Sequence, residues 1–161
     1  MAELVVSTVV NAALDKVWAA LTDWDTHGDW MVATIVRGTT DQHDGVGAGI
    51  EGITGIGSLV MRDTMTLSQW QPPPANPARC VVEHTGKVVR GSGAFEVEEL
   101  GPDQSRVVWS EWVQLPLGLL GETGWIAVRP LAALFLRISL RRLARIVEAD
   151  SVTTDAEAHS T

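Results

Sequence analysis

Between residues 58 and 115 the chain alternates β-patterned runs with breaks of two to eight residues, and this spacing excludes most folds at once. The runs are 58–70, 79–85, 88–100 and 106–115. A parallel crossover needs a dozen or more connecting residues, so strands joined this closely must pair antiparallel. The breaks carry turn chemistry. Gln71-Pro72-Pro73-Pro74 ends the first run, because proline cannot donate to a ladder. Gly86-Lys87 and Gly101-Pro102-Asp103 supply the later turns. Upstream, 4–10 is β-branched and apolar and reads as a first strand. Asn11 is placed to cap a helix over 12–22, where Leu14, Val17, Trp18 and Leu21 recur at helical spacing. A second short helix is expected over 24–30 and a strand over 32–37. The Gly-rich stretch 45–57 lacks the strand-then-helix context of a phosphate loop, and a bent or bulged strand pair accounts for it. The result is an α+β chain: an antiparallel sheet of about seven strands, two short helices after strand 1, and a long C-terminal helix.

That last helix has the sharpest pattern. Leu131, Leu134, Phe135, Ile138, Leu143, Ile146 and Val147 give it an apolar face, while Arg137, Arg141, Arg142 and Arg145 share another. Residues 131–136 are apolar almost all round, and such a helix is covered on both sides, by sheet and by ligand or partner. Pro130 suits a first turn, where its missing N–H is harmless; if the helix starts earlier, a kink there is expected. The arginine face is either solvated or makes peripheral contact with an anionic membrane or an acidic partner. The polar, small residues 150–161 read as a disordered tail behind a single domain of 1–149.

Composition narrows the function classes. A chain of 161 residues, 45% of them apolar, fits one globular domain. A net charge of −8 argues against nucleic acid as a partner. Cys80 is the one cysteine, which fits a reducing compartment, and Met1-Ala2-Glu3-Leu4 lacks the basic and apolar runs of a signal peptide. The most apolar stretch, 125–140, is broken by Arg129, Pro130 and Arg137, so no membrane span is expected and the reading is cytoplasmic. His27, His43 and His159 show no ligand spacing with cysteine or acid, so neither metal nor cofactor is expected. Seven Trp with two Phe and no Tyr suit a cavity wall or an ordinary core.

Strand alternation assigns the inward faces. They are Leu59, Met61, Asp63, Met65 and Leu67; then Cys80, Val82 and His84; then Val89, Gly91, Gly93, Phe95 and Val97; then Val107, Trp109, Glu111 and Val113. Asp63, His84 and Glu111 are the polar members. They either contact a ligand, act as acid and base, or pair with one another or with Arg62 or Arg90. A bulge would reverse any face downstream of it.

Val9-Val10-Asn11-Ala12, Val17-Trp18 and Trp24 open a series continued by Trp70-Gln71-Pro72-Pro73, Gly91-Ser92-Gly93-Ala94-Phe95-Glu96 and Val107-Val108-Trp109. In this order, with the long helix behind them, they resemble the SRPBCC superfamily, the helix-grip fold of START domains and the major birch pollen allergen. The likeness covers about residues 3–148 and is strongest to the polyketide cyclase/dehydrase-like, lipid-transport-like branch common in actinobacteria. It implies a curved sheet wrapped around the helix and a deep cavity for lipids, isoprenoids, sterols or polyketides. Three functions follow from it: a carrier of an apolar ligand; a polyketide-type cyclase, aromatase or dehydratase; or an interaction protein such as a toxin of a two-gene module. The last would use an apolar patch at the helix or at 115–120. The expected ligand contacts are Trp30, Met61, Asp63, Met65, Val82, His84, Phe95, Trp109 and Glu111, with Trp125, Leu131, Leu134, Phe135 and Ile138 from the helix. His84, Glu111 and Asp63 are the candidate catalytic groups, and the protein is expected to be a monomer or dimer.

Overall fold

The computed structural model describes residues 2–86, 89–114 and 119–158. The chain runs through β1 (Ala2–Val10), α1 (Leu14–Thr22), a 3-10 turn at Trp24–Thr26 and α2 (His27–Trp30). It continues through β2 (Thr34–Gly38), β3 (Gly49–Ile56), β4 (Leu59–Gln71), β5 (Ala78–His84), β6 (Gly91–Gly101) and β7 (Gln104–Val113) to α3 (Leu119–Ala158). The sheet order is β1-β7-β6-β5-β4-β3-β2, with every neighbouring pair antiparallel. From β2 to β7, neighbours in sequence are neighbours in the sheet, as short connections require. The sheet curls into a half-barrel with the long C-terminal helix, the α+β architecture expected from the sequence. The expected turn at Gly86-Lys87, the segment 115–120 and His159 lie wholly or partly outside the described residues.

The core sits where the later turns of α3 meet β1, α1 and the sheet. Leu140, Leu143, Ala144 and Val147 pack with Val6, Val10, Ala12, Val17 and Leu21, and with Leu67, Cys80, Val97 and Val107. Each fully buried aliphatic side chain of this kind contributes about 1.5–3 kcal/mol, which anchors this half of α3. The earlier half is different: Ile126, Val128, Leu131 and Leu134 are all at least 47% exposed.

Several local expectations change. Asn11 does not cap α1, whose N-cap is Ala13 without a side-chain bond. Asn11 lies too early for that; its N–H and Nδ2 donate to Glu148 Oε1 at 2.8 and 3.0 Å, and its Oδ1 accepts from Gln104 Nε2 at 3.0 Å. It therefore ties the end of β1 to α3 and β7. Pro130 lies inside α3, which begins at Leu119, so it is an interior residue and not part of a first turn. The helix also continues to Ala158, past the boundary at 149 where a disordered tail was expected. Ser151 and Thr153 donate back to the carbonyls of Val147 and Ala149, so their hydroxyls are satisfied within the helix. Arg137, Arg141, Arg142 and Arg145 are exposed and, among the described residues, make no ion pair. Among those residues no helix is long and apolar enough to cross a membrane.

Two register shifts interrupt the ladders, between Leu67 and Gln69 and between Glu99 and Gly101. The first reverses the facing of β4, so that after inward Leu67 it is Trp70 that turns to the core, edge-on to Trp18 at 5.2 Å. Gly91 is required by close approach. Its φ is +130°, and a Cβ there would lie 1.8 Å from the Trp112 carbonyl oxygen.

Candidate functional site

Above the first bulge the strand faces run as the alternation dictates. β4 turns Met61, Asp63 and Met65 inward, β5 turns Cys80, Val82 and His84, and β7 turns Trp109, Glu111 and Val113. With Gly93 and Phe95 of β6, and Thr34, Val36, Ile50, Gly52 and Thr54 of β2 and β3, they line a cavity of about 380 Å³. Trp24, His27 and Met31 line it from the short helical segments, and Trp125, Ala132, Phe135, Leu136 and Ser139 from α3. Met61 and Phe135 are 38% and 36% exposed, which marks where the cavity meets the surface.

The three polar residues read from the strand faces come together. His84 Nδ1 lies 2.6 Å from Asp63 Oδ2, and His84 Nε2 lies 3.3 Å from Glu111 Oε2. The Trp109 indole donates to Glu111 Oε1 at 2.7 Å. Neighbouring strands explain the meeting: Met65 pairs with His84 across β4–β5, and Gly93 pairs with Glu111 across β6–β7. Gly93 leaves room for the carboxylate, since a Cβ there would lie 3.0 Å from both Glu111 oxygens. Burial by itself disfavours a charged imidazole, but hydrogen bonds to Asp63 and Glu111, and their charges, outweigh it and push His84 up to about 10. At neutral pH both ring nitrogens therefore carry protons and donate to the two carboxylates. Arg62, an alternative partner for these acids, pairs instead with Glu51 at 3.6 Å, which Arg37 also holds at 2.6 Å. Among the described residues no group of three or more His, Cys, Asp or Glu could hold a metal ion.

A second histidine, His27, lines the same cavity and is 2% exposed. Its ring lies 5.2 Å from Trp24, 4.6 Å from Trp30 and 6.4 Å from Phe95, centre to centre. Burial in this aromatic nest lowers it to about 4, against a backbone hydrogen bond to Leu21 and the charge of Asp23. It is neutral, with Nε2–H donating to the Leu21 carbonyl at 2.9 Å and Nδ1 left as an acceptor. Burial also pushes the Cys80 thiol up to about 12, which removes it as a nucleophile.

Of the expected ligand contacts, Met61, Asp63, Met65, Val82, His84, Phe95, Trp109, Glu111, Trp125 and Phe135 line the cavity. Trp30, Leu131, Leu134 and Ile138 do not. Trp30 is buried behind the wall, packed against Trp109 at 6.1 Å and Phe95 at 6.3 Å. The three α3 residues have the wrong helical phase. Ala132, Phe135, Leu136 and Ser139 form one row, at spacings of three, four and seven. Leu134 and Ile138 instead fall in line with the exposed Arg141 and Arg145. His27 and Ser139 were missed because they lie on helices, outside any strand-face pattern, and Thr34 and Thr54 because they lie on the short β2 and the Gly-rich β3, where no clear alternation marks the inward face.

The family model described as polyketide cyclase / dehydrase and lipid transport matches residues 1–148. No curated protein matches the sequence. Solved structures share the fold at low identity. The crystal structure of TTHA0849 from Thermus thermophilus superposes with a TM-score of 0.77 at 15% identity, covering 93% of this chain and 99% of that one. The di-domain ARO/CYC BexL from the BE-7585A biosynthetic pathway gives 0.68 at 18%, over 92% of this chain and 47% of its own. A norcoclaurine synthase point mutant from Thalictrum, in complex with a transition-state analogue, gives 0.61 at 16%, over 89% and 95%.

Proposed function

The chain belongs to the polyketide cyclase / dehydrase and lipid transport family, and on that premise we propose that it binds an apolar small molecule between the sheet and α3. One observation carries this reading: a cavity of about 380 Å³, walled by apolar side chains from all seven strands and α3, with a small number of polar groups at fixed places. Small-molecule sites have this size and this composition.

A catalytic reading, as a cyclase, aromatase or dehydratase, rests on Asp63, His84 and Glu111 facing the same space. Its weak point is the state of His84. A general base at neutral pH must be free of its proton, and His84 is held protonated by the flanking carboxylates. His84 is therefore not the base of such a reaction, although as an imidazolium it could serve as its acid, and we propose binding as the primary role.

The test uses the full chain, purified without detergent. Native mass spectrometry should show an apolar adduct, and the neutral dye Nile red should titrate to one saturable site. Met65→Trp, which places a large ring in the cavity, should abolish dye binding while leaving the folded circular dichroism spectrum. Absence of an adduct together with non-saturable dye binding would reject the proposal.

A further inference from the structure

The hydrogen-bonding capacity of the cavity wall is lopsided. Among the described residues, nearly all lining side-chain donors are already engaged. Thr34 Oγ1 bonds the Val32 carbonyl and pairs with Thr54 Oγ1 at 2.8 Å. Ser139 Oγ donates to Phe135 O while accepting from Val32 N. The Trp24 indole donates to His43 O and that of Trp109 to Glu111. Protonated His84 spends both N–H groups on Asp63 and Glu111. The Trp125 indole is the remaining lining donor. Among the described residues four buried side-chain atoms have no partner; two are donors, Trp30 Nε1 and Arg79 Nε, on residues that do not line the cavity, and the two on lining residues are acceptors, Asp63 Oδ1 and His27 Nδ1.

Buried polar atoms are almost always paired, so an orphan in a cavity wall needs a partner from outside the chain. Both orphans accept, and both belong to residues that line the same cavity. The charge of the wall points the same way. Two carboxylates around one imidazolium leave the cluster with a net negative charge, and among the described residues no Lys or Arg lines the cavity. An anionic head group would find neither a counter-charge nor a set of free donors.

We infer that the ligand is a neutral apolar molecule bearing hydroxyl groups, which donate to Asp63 Oδ1 and His27 Nδ1, and that it is not a carboxylic acid. The inference rests on the binding reading above and narrows it from apolar ligands in general to alcohols and phenols.

Three probes of one shape separate the possibilities: 2-naphthol, 2-methoxynaphthalene and 2-naphthoate, titrated against the full chain at pH 7.4 by calorimetry. The expected order places naphthol about tenfold tighter than its methyl ether, the scale of one hydrogen bond to a charged acceptor, with naphthoate weakest. Binding of the ether as tight as naphthol, or of naphthoate tighter than either, overturns the hydroxyl assignment while leaving the binding reading intact. Failure of all three, together with failure of Nile red, overturns both. Asp63→Leu should reduce the naphthol-to-ether ratio to about one. Because that change takes one of the two carboxylates from His84, the triple variant Asp63→Leu/His84→Leu/Glu111→Gln, which removes all three charged members together and keeps an acceptor for the Trp109 indole, provides the same readout in a fold without an unpaired buried charge. An unchanged ratio in the folded triple variant also counts against the assignment.

Discussion

His27 and His84 line one cavity, the first buried and the second half-buried, yet they lie on opposite sides of neutrality, at about 4 and about 10. Burial pushes both in the same direction, downward, so depth alone cannot explain the difference. The partners do. His27 has one backbone carbonyl and a shell of indole and phenyl rings, which offer an imidazolium too little to replace water. His84 has a carboxylate at each nitrogen. The same residue type thus serves as a neutral acceptor at one point of the cavity wall and as a fixed cation at another.

The strongest way to break this contrast is to remove the carboxylates. In Asp63→Asn/Glu111→Gln only burial remains to act on His84, so its pKa should fall from about 10 to below its ordinary value of 6.5, towards that of His27. Taking away the partners of a buried ion should also destabilise the fold by about 3–5 kcal/mol. NMR titration of the imidazole carbons and guanidinium unfolding measure the two effects. A His84 that still titrates well above neutrality in this variant would show that something other than these acids holds its proton.

The next test opposes the two histidines through pH. For His84 the folded value is raised, so its contribution to stability is complete below 6.5 and is lost as pH rises towards 10. For His27 the folded value is lowered, so the unfolded chain binds the proton first, and stability is lost as pH falls from 6.5 towards 4. The His27 limb should amount to about 3 kcal/mol. Urea unfolding across this range should therefore show stability declining on both sides of about pH 6.5. His27→Gln should flatten the acid limb, by difference from the parent chain, and leave the alkaline limb in place.

The two histidines also differ in how far the sequence announces them. His84 sits at an inward position of an alternating strand, beside strands that put Asp63 and Glu111 inward as well, so period-two alternation is enough to bring the three together. The strand order follows just as directly from turns too short for crossovers. His27 lies in a four-residue helix with no pattern of its own, and only the aromatic packing around it gives it a role. On α3 the sequence shows which residues are apolar but leaves the phase of the helix to be settled by packing. Leu131, Leu134 and Ile138 accordingly face away while Leu136 and Ser139 face in. The bulge after Leu67, which turns Trp70 to the core, has no glycine or proline to mark it.

A smaller and more local change tests whether placement of Glu111 matters apart from its charge. Gly93→Ala sets a methyl 3.0 Å from both carboxylate oxygens and forces them to shift. The His84–Glu111 contact is already the longer of its two, at 3.3 Å, so it should be the one to weaken. We expect a loss of about 1–2 kcal/mol, the usual scale of a one-methyl overpacking, and a lower His84 pKa with His27 unmoved. A His84 titration identical to that of the parent would mean that Asp63 alone sets its charge.

The smallest effect is expected on the outer side of α3. Leu134 is 47% exposed and stands one residue from Phe135, which lines the cavity. If the helix phase decides which side chains matter, Leu134→Ala should change stability by no more than about 0.5 kcal/mol, because little apolar area leaves water at that position. It should leave Nile red affinity and both histidine titrations as they are. Phe135→Ala, one position later, should weaken dye binding by removing a ring from the wall. Equal effects from the two substitutions would mean that α3 is rotated relative to the row formed by Ala132, Leu136 and Ser139, and the cavity would then have to be redrawn with the outward leucines in it.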